Sequence, residues 1–180
     1  MSQDTLDPND ELPLQFRWTL WYSAPKEAEA DQKKWDTERV KKVVEFGSVS
    51  EFWRVLNNLR APSKLPEGAD LQIFRSGVLP QWEDAFNQKG GSWKVIFHKE
   101  DNQSKFDSTW FNTILTMAGD GFDDADDICG IVASNRNSNN RLRLWTRHAD
   151  DRDAVKRIGT QLKQLNKLKQ KISYRVNNPM

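Results

Sequence analysis

The chain has few of the cysteines, histidines and long apolar runs that are typical of secreted, metal-binding and membrane-spanning proteins. Its 180 residues include one cysteine, Cys129, and two histidines, His98 and His148. One thiol excludes an internal disulfide, and so few ligands argue against a zinc site or a Ser-His-Asp relay. No run of about 18 apolar residues is present, and the stretch 1–11 is acidic and polar, unlike a membrane span or a secretory signal. We expect a protein of the cytoplasm, with the nucleus as a second location.

An excess of either charge is also missing. The 27 basic and 26 acidic side chains give a formal net charge of +1. Proteins that coat long nucleic acids neutralise many phosphates, so this balance leaves room only for short, local nucleic-acid contacts. The length suits one core rather than two. We predict a flexible N-terminal tail over residues 1–11 and a single domain, expected to be monomeric, over residues 12–180.

Tryptophan, in contrast, is abundant: the chain has eight. Four of them occupy in-phase positions of predicted strands or helices and are expected mainly to pack in the core: Trp18, Trp53, Trp93 and Trp110. Trp35 and Trp82 stand instead among polar and charged residues. An exposed indole generally marks a binding surface, although a loop tryptophan can also fold back onto its own domain.

Hydrophobic periodicity predicts an α+β fold, an antiparallel sheet with helices packed on one face. Helices are predicted over 49–59, over a stretch from about 106 that ends near Gly119, and over 155–168. No element is assigned between residues 24 and 47. Strands are predicted at 15–23, 71–75, 93–98, 128–133, 142–146 and 172–176, with a polar turn at 137–140 making a hairpin.

The two polar tryptophans indicate a possible chemistry. A pair of exposed indoles can hold a flat π-system, and a cationic ring adds a cation–π attraction of roughly 1–2 kcal/mol when desolvated. Glu83 can accept hydrogen bonds from two adjacent N–H donors, which guanine presents on its Watson–Crick edge and adenine does not. Arg136 and Arg141 flank the predicted turn, where each is either a phosphate ligand or an ordinary solvated arginine.

Further motifs carry a resemblance to one family, from about Pro13 to the C-terminal strand. They are Pro13-Leu14-Gln15, Arg17-Trp18, Leu20-Trp21, Phe52-Trp53, Trp82-Glu83-Asp84, Gly90-Gly91 ahead of Trp93, Phe122-Asp123-Asp124, Cys129-Gly130, and Arg136 with Trp145. With them, the chain resembles the cap-binding eukaryotic translation initiation factor 4E family. The resemblance implies a curved antiparallel sheet of about eight strands with three helices on its convex face.

The resemblance also implies that the concave face binds the 7-methylguanosine 5′ cap of mRNA. Two loop tryptophans would stack on the base, a glutamate would read its edge, a third tryptophan would contact the N7-methyl group, and two arginines would hold the phosphates. In that order, the implied residues are Trp35, Trp82, Glu83, Trp145, Arg136 and Arg141. Ser92 departs from the family, because many members have arginine at that position.

A second implied surface lies on the convex side, where an amphipathic helix with a Tyr-x4-Leu-hydrophobic motif would dock. Such helices belong to the scaffold factor, an initiation factor 4G-like protein, and to 4E-binding proteins. Asn112 departs here from a family glutamate. The implied partner-binding residues are Pro13, Val49, Trp53, Phe111, Leu115 and Gly119.

We therefore expect a non-enzymatic module, without cofactor or metal, that binds capped mRNA and recruits a scaffold to start translation. The nearest alternative is a cap-binding repressor that recruits no scaffold productively. A hydrolase of capped nucleotides would need a magnesium-binding carboxylate cluster, and the sequence has no Arg-Glu-x2-Glu-Glu run. A general single-strand binder would hold methylated and unmethylated guanine nucleotides equally well.

Overall fold

The computed structural model of the chain describes residues 11–25 and 39–177. Within them lie seven strands, three α-helices and two short 3-10 turns, and no helix there is long and apolar enough to cross a membrane. The predicted tail at 1–11 falls almost wholly outside this part of the chain. In chain order the elements are β1 Pro13–Ser23, β2 Val40–Ser48, α1 Val49–Asn58, β3 Asp70–Arg75, β4 Gly91–His98, α2 Lys99–Ala118, β5 Ile128–Ser134, β6 Asn139–Thr146, α3 Arg152–Leu165 and β7 Ser173–Val176.

Helices α1 and α3 begin at residues whose side chains accept hydrogen bonds from free backbone N–H groups. The Ser48 side chain accepts from the N–H of Glu51 at 3.3 Å, and the Glu51 carboxylate accepts from the N–H of Gly47 at 2.7 Å. These two reciprocal hydrogen bonds cap the N-terminus of α1. Asp151 accepts from Ala154 N–H at 3.0 Å and caps α3 in the same way. These caps explain why α1 and α3 begin close to their predicted starts.

The strands form one antiparallel sheet in the order β2-β1-β3-β5-β6-β4-β7. It is curved and does not close, and the α+β prediction is confirmed. Seven strands are present in the part of the chain that the structure describes, where the resemblance implied about eight. The unassigned strand β2 occupies one edge and pairs with β1.

The two faces of the sheet bury two different apolar clusters. The larger one lies between the sheet and all three helices, and its fully buried side chains include Trp18, Phe46, Phe97, Phe106 and Ile158. The smaller one lies on the opposite face and contains Phe74, Val78, Cys129, Val132 and Trp145, with Trp21 and Phe86 packed against them. We call this second surface the open face, because none of α1, α2 and α3 contributes a residue to its cluster.

One tryptophan prediction is wrong. Trp18 and Trp110 are buried as expected, and Trp93 packs against the core with its indole N–H donating to the Val155 carbonyl at 2.9 Å. Trp53, however, is 41% exposed on α1 because Phe52 takes the core position of that helix. Adjacent helical residues point about 100° apart, so the two aromatic side chains cannot both face inward.

Candidate functional site

Trp82 stands in the loop of residues 76–90, which a carboxylate holds in shape. Asp84 accepts from the N–H of Leu79 at 2.9 Å through one oxygen and from the N–H of Phe86 at 2.8 Å through the other. A carboxylate that bridges two backbone donors fixes the turn between them, and hydrogen bonds to a charged acceptor are among the stronger ones. The 41% exposed indole of Trp82 therefore rests on a fixed backbone.

A buried amide secures the same loop from below. The side-chain nitrogen of Asn87 donates to the carbonyls of Leu79 at 2.9 Å and Gln81 at 2.8 Å. The main-chain carbonyl of Asn87 in turn accepts from the side-chain nitrogen of Asn177 at 2.8 Å, which connects the loop to the end of β7. The backbone on the N-terminal side of Trp82 is thus tied to a fully buried residue.

Trp145 forms part of the sheet surface beneath this loop. It lies on β6, is 9% exposed, and meets the ring of Phe74 edge-on with centroids 5.5 Å apart. Gly130, its partner on β5, makes this packing possible. A Cβ atom at that glycine would lie 2.6 Å from Cγ of Phe74 and closer still to the Ile73 carbonyl oxygen.

Trp82 and Trp145 line a cleft on the open face, which we call the first cleft. Its volume is about 270 Å³. Aromatic surface, one acid and three arginines meet there, so it offers contacts for both a ring and a charged group. Its lining is Ser23, Arg39, Val40, Asp70, Gln72, Pro80, Gln81, Trp82, Val132, Ser134, Arg136, Arg143 and Trp145.

Arg136 is held in place by the protein itself. One terminal nitrogen donates to Asp70 Oδ1 at 2.7 Å, and the other donates to the carbonyls of Ala69 and Asn135, each at 3.0 Å. A guanidinium has five N–H donors, so two remain for a ligand. The predicted phosphate ligand is therefore fixed, but Asp70 offsets its charge.

The alternation of β6 assigns its arginines to the open face. Leu142 and Leu144 are buried in the core, whereas Arg141, Arg143 and Trp145 point to the other side. Arg141 is exposed and lines neither cleft. Arg143 was not among the predicted site residues, yet it lines both clefts. Burial lowers the pKa of its guanidinium, and the nearby charge of Arg141 lowers it further. Its in-phase spacing with Trp145 was the signal that would have identified it.

A second cleft of about 300 Å³ lies beside the first and shares Trp82, Arg143 and Trp145 with it. The remaining lining comes from β4, β7 and the residue after β7: Ser92, Lys94, Ser173, Arg175, Val176 and Asn177. Glu83 follows Trp82 in the loop, is exposed, and does not line either cleft. Fixed aromatic rings and cations thus stand side by side, which suits an aromatic ligand with a phosphate chain.

Trp35 lies outside the described residues, so its predicted position beside Trp82 stays a prediction. The described chain stops at 25 and resumes at 39, and both ends reach the open face. Ala24 N–H donates to the Arg39 carbonyl at 3.2 Å, and Nε of Arg39 donates to the Ala24 carbonyl at 3.1 Å. Arg39 also lines the first cleft.

The predicted partner-binding residues lie on the helix side. Val49 and Trp53 on α1 are 36% and 41% exposed, and Phe111 on α2 is 40% exposed. Trp53 packs edge-on against Phe52 with centroids 5.4 Å apart, which fixes the orientation of its ring. Leu115 is half-buried against the core, and Pro13 and Gly119 are exposed.

Other titratable groups serve the fold. Asp127 Oδ1 accepts from the backbone N–H of His148 at 3.1 Å and lies 2.7 Å from its Nδ1. Burial raises the pKa of Asp127, and the His148 contacts act in the opposite direction. Burial also raises the pKa of the Cys129 thiol far above its usual range. Over residues 11–25 and 39–177, no three His, Cys, Asp or Glu side chains converge as metal ligands.

Comparisons with known proteins agree with this geometry. The sequence profile described as eukaryotic initiation factor 4E matches residues 13–179. The eukaryotic translation initiation factor 4E of Dictyostelium discoideum is 35% identical over 162 residues, which cover 90% of this chain and 63% of that protein. The chain thus spans less than two thirds of that relative's length.

Solved structures share the fold. The Ascaris suum protein eIF4E-3 in complex with an m7G cap is 33% identical, with a TM-score of 0.85 over 95% of this chain and 94% of that one. The C. elegans eIF4E-3, in complex with the 4E-binding protein Mextli and a cap analog, is 35% identical, with a TM-score of 0.82 over 93% of each chain.

Proposed function

The chain belongs to the eukaryotic initiation factor 4E family, and from this premise we propose that its open face binds the 7-methylguanosine 5′ cap of mRNA. The observation that carries the proposal is Trp82, an exposed indole on a clamped loop beside a cleft lined with fixed arginines. A ring that stacks there would leave its phosphates among cations. The cap-bound Ascaris structure supports this assignment.

We assign the second stacking ring to Trp35. It precedes Arg39 by four residues, and four residues of extended chain reach at most about 14 Å. Since Arg39 lines the same cleft as Trp82, the indole of Trp35 is within reach of that cleft. Two indoles on a desolvated cationic base would each add a cation–π attraction of up to about 2 kcal/mol, and this attraction favours 7-methylguanine over guanine.

The remaining residues supply identity and charge recognition. Glu83, exposed beside Trp82, would accept from the two N–H groups on the guanine edge, and its negative charge favours the methylated base. Trp145, in the wall of the first cleft, would contact the N7-methyl group. Arg136 and Arg141 would hold the phosphates, with Arg136 already oriented by Asp70.

A tryptophan-quenching titration with 7-methyl-GTP against GTP tests the proposal. Trp82→Ala should weaken 7-methyl-GTP binding about 5- to 150-fold, the range that 1–3 kcal/mol per stacked base gives. Trp53→Ala is the matched control: its indole is equally exposed but lies on the helix side, so cap binding should not change.

Two further variants separate the parts of the site. Trp35→Ala should lose affinity much as Trp82→Ala does, and Glu83→Gln should reduce the preference for 7-methyl-GTP over GTP. Equal binding of the two nucleotides by the unmodified chain would contradict the proposal and favour a general base-stacking protein. Turnover of a cap analog by the purified chain would favour an enzyme.

We also propose that the helix side recruits a scaffold initiation factor and so links capped mRNA to the start of translation in the cytoplasm. Val49, Trp53 and Phe111 expose apolar surface on α1 and α2, where an amphipathic helix can bury it. Pro13, Leu115 and Gly119 would complete the contact. The C. elegans relative that binds Mextli supports a partner of this kind.

Binding of a peptide with the Tyr-x4-Leu-hydrophobic motif distinguishes an initiation factor from a cap-binding repressor. The unmodified chain should bind this peptide, and Trp53→Ala should weaken that binding while leaving 7-methyl-GTP affinity intact. Trp82→Ala should instead weaken 7-methyl-GTP binding and leave peptide binding intact. A chain that binds the cap but not the peptide would favour the repressor.

A further inference from the structure

The second cleft is built as a regular grid on three neighbouring strands. Register places Trp145 opposite Ser92, and Ser92 opposite Arg175, in one row across β6, β4 and β7. The next row, two residues along, contains Arg143, Lys94 and Ser173. Since directly opposite residues share a face, all six side chains project from the open face.

The charges on this grid do not compensate one another. Arg143 and Lys94 stand directly opposite each other, an arrangement of like charges that destabilises a sheet. Arg175 adds a third cation on the neighbouring strand. Among the described residues that line the second cleft, none is acidic. Asp70, the acid that acts on Arg143, is already bound to Arg136.

We propose that the second cleft binds the phosphodiester backbone of the RNA that follows the cap, through Lys94, Arg175 and Arg143. This inference rests on the proposed cap-binding function and extends it beyond the triphosphate. The ligand class is single-stranded RNA joined to the cap, held by its backbone and not read by sequence.

The geometry favours a phosphate chain over a single anion. Neighbouring strands lie about 4.8 Å apart, so the cations on β6, β4 and β7 are spread over about 10 Å. The two clefts also share Trp82, Arg143 and Trp145, so one ligand can run from the first into the second without leaving the open face. Ser92 and Ser173 add hydroxyl donors beside the cations.

The test compares 7-methyl-GTP with a capped RNA tetranucleotide and with the same tetranucleotide uncapped. Affinities are measured by tryptophan quenching at several salt concentrations for the unmodified chain, Lys94→Gln, Arg175→Gln and the control Lys156→Gln. Lys156 is an exposed lysine on α3, away from the open face.

We expect the unmodified chain to bind the capped tetranucleotide more tightly than 7-methyl-GTP. Lys94→Gln and Arg175→Gln should each weaken the capped tetranucleotide about 5-fold and reduce the salt slope by about 0.7, the value for one lost contact to a single strand. Neither variant should change 7-methyl-GTP binding, and Lys156→Gln should change nothing.

Three results would overturn the inference. An equal loss for 7-methyl-GTP and the capped tetranucleotide would assign these cations to the cap's own phosphates. Unchanged binding in both variants would leave the cleft without a role in RNA binding. Uncapped RNA that binds as tightly as capped RNA would indicate a general anion surface. Failure of the unmodified chain to bind 7-methyl-GTP would instead refute the proposed function, and this extension with it.

Discussion

Asp84→Ala should weaken cap binding although Asp84 is assigned no contact with the ligand. Its carboxylate accepts from the N–H groups of Leu79 and Phe86 at 2.9 and 2.8 Å, and these two bonds hold the loop that carries Trp82. A hydrogen bond to a charged group contributes about 1.5–3 kcal/mol. Because Asp84 is partly exposed, water recovers much of this, and we expect a loss of about 1–2 kcal/mol in loop stability for the pair.

This loss of loop stability sets an upper limit on the loss of cap affinity. If the loop must be in its ordered form to stack on the base, affinity can fall only by the loss in ordered population, about 5- to 30-fold for 1–2 kcal/mol. The assay is a tryptophan-quenching titration with 7-methyl-GTP, with Asp150→Ala as a control at another exposed acid. The affinity of Asp84→Asn should lie between those of the unmodified chain and Asp84→Ala, since its side-chain amide oxygen can still accept one of the two hydrogen bonds.

Wild-type affinity in Asp84→Ala would refute this reasoning, because the indole would then be positioned without its clamp. A large drop in melting temperature together with lost binding would also count against it, since the loop carries little of the core. The diagnostic result is weaker binding with nearly unchanged unfolding.

Two further predictions concern Gly130 on β5 and Asp127, the residue directly before that strand. Gly130→Ala should destabilise the fold by about 1–3 kcal/mol, measured by urea denaturation, because the added Cβ meets backbone and the Phe74 ring, neither of which moves easily; wild-type stability would contradict it. Burial raises the pKa of Asp127, so the folded state binds its proton more tightly than the unfolded chain does. The stability that this protonated carboxyl contributes is therefore complete below about pH 4 and is lost as the pH rises through the folded pKa. Asp127→Asn does not titrate there, so its stability relative to the unmodified chain should rise as the pH increases above about 4, and a flat difference would contradict the assignment.

Elements whose apolar residues alternate or repeat at helical spacing could be predicted from the sequence. Strand β2 could not, because Val43 and Val44 are adjacent in sequence, exposed, and break any alternation. An edge strand needs only part of its length to pack against the core, and in β2 Phe46 supplies most of the packing. The start of α2 was missed for a similar reason, since Lys99–Lys105 is polar and gives no periodic signal.

The site was recognisable where residue type and spacing carry its chemistry. Trp82 was predicted to be exposed because its neighbours are polar, and it is. Arg143 was missed because its in-phase spacing with Trp145 becomes informative only once Trp145 is known to line a cleft. Its place between the two clefts depends on which strands are neighbours. The sequence order β4, β5, β6 does not reveal that β6 lies between β5 and β4.

The division of β6 between two faces connects the core to the site. Leu142 and Leu144 are fully buried, and each contributes about 1.5–3 kcal/mol through burial. A slip of one residue would expose both leucines and bury Arg141 and Arg143, so packing on the helix side fixes where the arginines point. Lys94 and Arg175 take no part in this core packing, so substituting them leaves the register intact. Lys94→Gln and Arg175→Gln should therefore change binding without changing the register, whereas Gly130→Ala alters the packing that positions Trp145.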